Sequence, residues 1–366
     1  MRAGSGERRK NRPFRSARVQ SLDAVRRFAL LSLLVAAFGC RHEPKENAAA
    51  PSKSSVTVAV SSALPAPGAL PASAAASSAD PPATTGAAKP AAPDPHRYRW
   101  LGAENLKFPP AVDALNARFP TPPGYQRIAL EPGSFGEWLR GLPLAAPGTP
   151  VLNHNGETAF AGDDEYVAAV VAIDVGAGDL QQSADAVLRL HGEWLWSNDK
   201  RDAISYRSST KLDMPFSRWA KGQRLIASGP NVFWVVKSKP REPVYNDFRQ
   251  YIDAAMLWSN NVSLALRATH VTDPAQLTPG DFFLQSHGKG RAVVVLDVAQ
   301  KPTGERVALL GQALQSPAQS IHVLSLGHET AWFSLRPPNA VLTPRGDEFS
   351  WNDLQRLAPS EPRKTE

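Results

Sequence analysis

Apolar and polar positions keep a regular spacing only between about residues 98 and 357. Ala184, Val187, His191 and Leu195 recur at helical intervals, with Ser183, Val187, Leu190 and Trp194 on a neighbouring stripe, so a helix is predicted over 179–196. Asp179 is its expected N-cap, with Gln182 at the third helical position. The string Ser134-Phe-Gly-Glu137 is a capping box and opens a shorter helix over 134–142. Phe248, Ile252, Ala255 and Met256 mark the inner side of a helix over 245–264. Residues 166–175 are apolar and rich in β-branched side chains, the pattern of a buried strand. Short strands are expected at 203–207 and 231–236, then a run of strands at 282–285, 291–298, 306–312, 319–324 and 331–335. Helices early and a meander late predict one α+β domain over 98–357, its helices packed on an antiparallel sheet.

The chain ahead of this domain has a different character. Before Cys40 stand nine basic residues against two acids, which accounts for the whole net charge of +7. The basic pI of about 9.6 therefore belongs to a leader, and no nucleic-acid partner is expected. An apolar run over 28–38 follows the basic region. It falls short of the roughly 20 residues that a spanning helix needs. Ala37-Phe38-Gly39-Cys40 resembles a bacterial lipobox, so residues 1–39 are expected to be a lipoprotein signal peptide and Cys40 an acylated N-terminus that anchors the protein to a membrane. An ordinary cleaved signal or an uncleaved anchor is the alternative. Arg41 after the cysteine points to the outer membrane, facing the periplasm. Residues 40–97 are Ala/Pro/Ser-rich and read as a disordered tether, and 358–366 as a disordered tail. Cys40 is the only cysteine, so no intrachain disulfide forms, and once it is acylated no thiol remains. No cluster has metal-ligand spacing and no glycine-rich phosphate fingerprint follows a strand, so neither a metal nor another cofactor is expected.

Four strings together resemble a known family: Ser134-Phe-Gly-Glu-Trp-Leu-Arg-Gly-Leu-Pro-Leu144, Ile173-Asp-Val-Gly176, Asp179-Leu-Gln-Gln-Ser-Ala-Asp-Ala186 and Ser316-Pro-Ala-Gln-Ser-Ile-His322. They are similar to domain-of-unknown-function family 4846 of bacterial envelope proteins. The resemblance implies a papain-like or NlpC-like fold, with Cys at the position of Ser183, His at the position of Arg291 and a polar third residue at Gln312. The layout of 279–299, a turn into one strand and a glycine-rich turn into the next, agrees with that fold.

Both reactive positions are substituted. A serine needs an adjacent base, and arginine stays protonated at any relevant pH. His287, four residues before Arg291, is the one candidate base, against the plainer reading of a solvated loop histidine. His191 is two turns along the Ser183 helix, roughly 12 Å away, and is expected in the core or an interface, while Trp194, Trp196 and Trp258 are expected in the core rather than in a sugar-stacking platform. Ser183 at a helix N-terminus with Arg291 opposite would form an anion pocket, with Gln312, Asp185 and His287 around it. Alternatively, Arg291 pairs with Asp185 and fills a dead cleft. Three functions follow. One is a non-catalytic envelope lipoprotein that binds an anionic ligand, a peptidoglycan peptide or an envelope protein. Another is a weak serine-type cell-wall hydrolase. The third is a purely structural envelope protein. The missing base disfavours the second.

Overall fold

Nine strands form one antiparallel sheet in the computed structural model of this protein, which describes residues 93–286 and 290–357. The expected signal peptide, the expected acylation site Cys40, most of the expected tether, His287 and the tail from 358 lie outside the described residues. The strands are β1 (Gln126–Arg127), β2 (Val167–Val170), β3 (Ala268–His270), β4 (Phe282–Leu284), β5 (Ala292–Gln300), β6 (Arg306–Gln312), β7 (His322–Leu324), β8 (Trp332–Leu335) and β9 (Leu354–Leu357). Their order is β3-β9-β4-β5-β6-β7-β2, with β8 pairing to β6 and β1 to β5. Six helices accompany them among the described residues: α1 (Leu115–Arg118), α2 (Phe135–Arg140), α3 (Ser183–Ser197), α4 (Phe216–Ala220), α5 (Tyr245–Trp258) and α6 (Asn261–Ala265). None of these helices is long and apolar enough to cross a membrane. The α+β expectation holds.

Alternation along β5 sorts the core into two layers. Ala292, Val294 and Leu296 pack with Ala184, Val187 and Leu190 of α3 and with Trp138 of α2. Val293 and Val295 point the other way, toward Phe283, Leu310 and Phe349. A bulge between Val295 and Asp297 then turns Asp297 to meet two arginines, Arg127 Nε at 2.6 Å and Arg140 Nε at 2.8 Å. A third apolar cluster joins α3, α4 and α5, where Trp196 stacks on Phe248 at 4.9 Å. Gly192 allows the close approach of α3 and α5, since a Cβ there would lie 2.7 Å from Ile252 Cδ1.

Several sequence expectations need correction. The helix expected from Asp179 begins at Ser183, with Gln182 as N-cap and Asp185 completing the capping box. Asp179 accepts instead from Ser316 Oγ at 2.5 Å and from the Ala318 N–H at 2.6 Å, so it ties two loops together. The helix expected over 245–264 breaks at Ser259, and Asn260 caps α6 by accepting from the Ser263 N–H at 2.9 Å. Arg97, assigned to the tether by composition, belongs to the fold: it pairs with Glu137 at 2.9 Å, and the Trp138 indole N–H donates to its carbonyl at 3.0 Å.

Asp174 is a buried carboxylate shared by two guanidiniums. Arg189 Nη2 donates to its Oδ1 at 2.6 Å, and Arg249 donates to its Oδ2 through Nη2 at 2.8 Å and Nε at 3.0 Å. Burial pushes this carboxyl's pKa up, but the two guanidiniums pull it down further, to about 2. Arg189 Nε also donates to Glu193 at 2.9 Å, which accepts from Tyr245 Oη at 2.8 Å, and Arg249 pairs with Asp253. Removing one partner of a buried ion pair strands the other charge. Asp174→Ala is therefore expected to cost about 3–5 kcal/mol in urea denaturation, and a loss within about 1 kcal/mol would show that the network does not support the fold.

His322, in β7, is fully buried, and burial pushes its pKa down to about 4. The ring is neutral in the fold but titrates near 6.5 when unfolded. Its stabilising contribution is therefore complete above that value and lost as pH falls toward 4. Between those limits, the stability of His322→Phe should fall less steeply than that of the parent, by up to about 1.4 kcal/mol per pH unit. Parallel curves would contradict this.

Candidate functional site

Ser183 is the first residue of α3 and is buried. Its Oγ accepts the Ala292 N–H at 2.6 Å and lies 3.4 Å from the Ala292 carbonyl. The helix N-terminus is thus pinned to the first residue of β5, immediately after Arg291. The juxtaposition of helix start and strand start is as expected, but the serine hydroxyl is committed to the backbone it touches.

The other candidate residues separate. Arg291 Nε donates to Asp347 Oδ1 at 3.0 Å, so the arginine pairs with neither Asp185 nor the helix start. The reason is strand alternation. Ala292 faces α3, so Arg291 falls with Val293 on the opposite face, where the 341–349 hairpin packs. Gln312 is opposite His322 in the β6–β7 ladder and alternates with Gly311, which faces Leu296 on the α3 side. It is buried away from Ser183, and its Nε2 has no partner among the described residues. His287 lies outside the described residues. His191 is buried as expected, and its Nδ1 lies 3.2 Å from Tyr206 Oη. Of the four described members of the expected pocket, only Ser183 and Asp185 share a cleft.

Those two line a cleft of about 270 Å³ at the start of α3. Asn260, Asn261, Gln182 and Gln315 supply amides to it, and no lysine or arginine among the described residues lines it. Asn261 Nδ2 donates to the Gln285 carbonyl at 3.1 Å, and Gln315 Nε2 to the Gly290 carbonyl at 3.1 Å. Asp185 Oδ2 lies 3.4 Å from the Gln182 N–H, and burial pushes its carboxyl pKa well above the ordinary carboxylate range. The start of α3 is thus met by the protein's own carboxyl group, and among the described residues an incoming anion would meet Asp185 and Asp179 and no cation. Sequence reasoning missed Asn260 and Asn261 because it read 245–264 as one helix. The capping signature Asn260-Asn-Val-Ser263 was the available signal.

The family model described as Domain of unknown function (4846) matches residues 115–356. The chain belongs to this family. No curated protein and no solved structure matches it. The strings that carried the resemblance supply structural contacts: Asp174 anchors the buried ion network, Asp179 the loop junction, and Ser183 and Asp185 the start of α3.

If Ser183 is a strut, Ser183→Ala leaves the buried Ala292 N–H without an acceptor. The expected loss of stability is about 1–3 kcal/mol, read by denaturant titration. An unchanged midpoint would return the hydroxyl to the list of free groups.

Proposed function

We propose that this protein is a non-catalytic binding protein of the bacterial cell envelope, anchored through a lipid on Cys40, whose domain keeps a papain-like or NlpC-like layout without its chemistry. The observation that carries this reading is the bond between Ser183 Oγ and the Ala292 N–H at 2.6 Å. It occupies the hydroxyl that would have to attack, at a site where no described histidine lines the cleft. The seating of the α3 start on the β5 start supports the layout.

The ligand is a cell-wall peptide, held by different groups from those the sequence suggested. A cleft of carboxyl and amide side chains accepts the N–H and ammonium groups of such a peptide. Among the described residues it offers no guanidinium to the peptide's carboxylates, because Arg291 is held by Asp347.

The full chain should release no fragments from purified muropeptides. It should bind ammonium-bearing muropeptides, and Asp185→Ala should weaken that binding severalfold, the scale of one hydrogen bond. Cys40→Ala should move the protein from the membrane to the soluble fraction. Turnover abolished by Ser183→Ala would establish a serine hydrolase instead. Binding that is absent, or indifferent to Asp185, would leave a structural role, and membrane retention of Cys40→Ala would remove the lipid anchor.

A further inference from the structure

A second cavity, of about 400 Å³, opens between α2, α3 and the turn before β4. It has the size and the mixed lining of small-molecule pockets, with apolar walls and a few convergent polar groups. Phe135 and Trp194 form an aromatic corner, their ring centroids 5.3 Å apart and inclined by 34°. The His191 ring lies nearly perpendicular to Phe135 at 5.4 Å. Leu130, Leu195 and Leu357 extend the apolar lining.

What His191 offers depends on where Tyr206 sends its one hydroxyl hydrogen. Directed at the Leu188 carbonyl, 3.1 Å away, that hydrogen leaves Tyr206 Oη to accept at the His191 contact of 3.2 Å. His191 Nδ1 then carries the ring proton, and Nε2 is a bare acceptor. Unlike Nε2 of His322, it is not among the sealed, unpartnered atoms, and it has no partner among the described residues. An acceptor of this kind in an apolar pocket calls for an O–H or N–H on the ligand.

Two cations belong to the same lining. Lys200 Nζ sits over the Trp194 ring at 4.5 Å, and no carboxylate pairs with it among the described residues. Arg356 is held by Asp281 through Nε at 2.6 Å and Nη2 at 2.9 Å, while its Nη1 has no acceptor among the described residues. The Arg356–Asp281 pair is neutral as a unit, so Lys200 gives the cavity a net positive charge. Such a site selects an anion with an aromatic body.

We propose that this cavity binds a small aromatic carboxylate that carries a ring N–H or O–H: the arene lies against Phe135 and Trp194, the N–H or O–H donates to His191 Nε2, and the carboxylate meets Lys200 and Arg356. The site is separate from the α3 N-terminal cleft and does not depend on the role given to that cleft.

Titration calorimetry on the full chain with indole acetate tests this, using naphthyl acetate, which lacks the ring N–H, and indole ethanol, which lacks the charge. Indole acetate should bind at a single site and more tightly than either comparator. Lys200→Glu, an exposed change that leaves the core intact, should weaken indole acetate about five- to tenfold, the scale of one surface charge pair removed and then reversed. It should leave indole ethanol unchanged. Ala203→Trp, which fills the cavity, should abolish binding of all three. Indole acetate that fails to bind, or binds equally well to both variants, overturns the proposal. Equal affinity for indole acetate and indole ethanol overturns the anionic assignment.

Discussion

Two guanidiniums share one buried carboxylate at Asp174, and the placement of both long helices follows from it. Arg189 comes from α3 and Arg249 from α5, while Asp174 lies just beyond β2 at the edge of the sheet. One side chain thereby fixes two helices relative to the strands. A buried cation is tolerated only with close counter-charges, which Glu193 and Asp253 complete at one helical turn from each arginine. Gly176 is part of the same fit. Its φ is +91°, and a Cβ there would lie 2.7 Å from Arg249 Nη2.

With α3 held in this way, its first residue meets β5, and the chemistry of Ser183 follows from its position. A hydroxyl 2.6 Å from a buried backbone N–H satisfies a donor that would otherwise be stranded. Asp185, two residues on, caps the same helix, so both polar groups at the start of α3 serve its termination. The second cavity is built differently. Its polar groups, His191 Nε2 and Lys200 Nζ, are left over after the fold's own bonds are made.

Most of the regular elements were legible because apolar, β-branched runs bounded by turns mark strands, and apolar residues at helical spacing mark helices. Strand β6 begins and ends where the pattern placed it, and Asn231–Val236 matches as well. The partner of that second strand, Gln223–Ser228, was missed because the ribbon is largely exposed and shows no alternation. Helix starts were less legible. Asp179 and Gln182 both have capping chemistry, and what chose between them was the loop at Ser316 and Ala318, distant in sequence, which claimed the Asp179 carboxylate.

The sequence by itself determined the α+β class and the family. These rest on local periodicity and on residue identity. Only the tertiary structure decided which face of the sheet each polar side chain occupies. A one-residue step along a strand reverses direction, so Arg291 goes to Asp347 while its neighbour Ala292 packs under α3. The pairing of Asp174 with arginines 15 and 75 residues away, and the pocket at His191, are likewise set by contacts between segments that no local pattern connects.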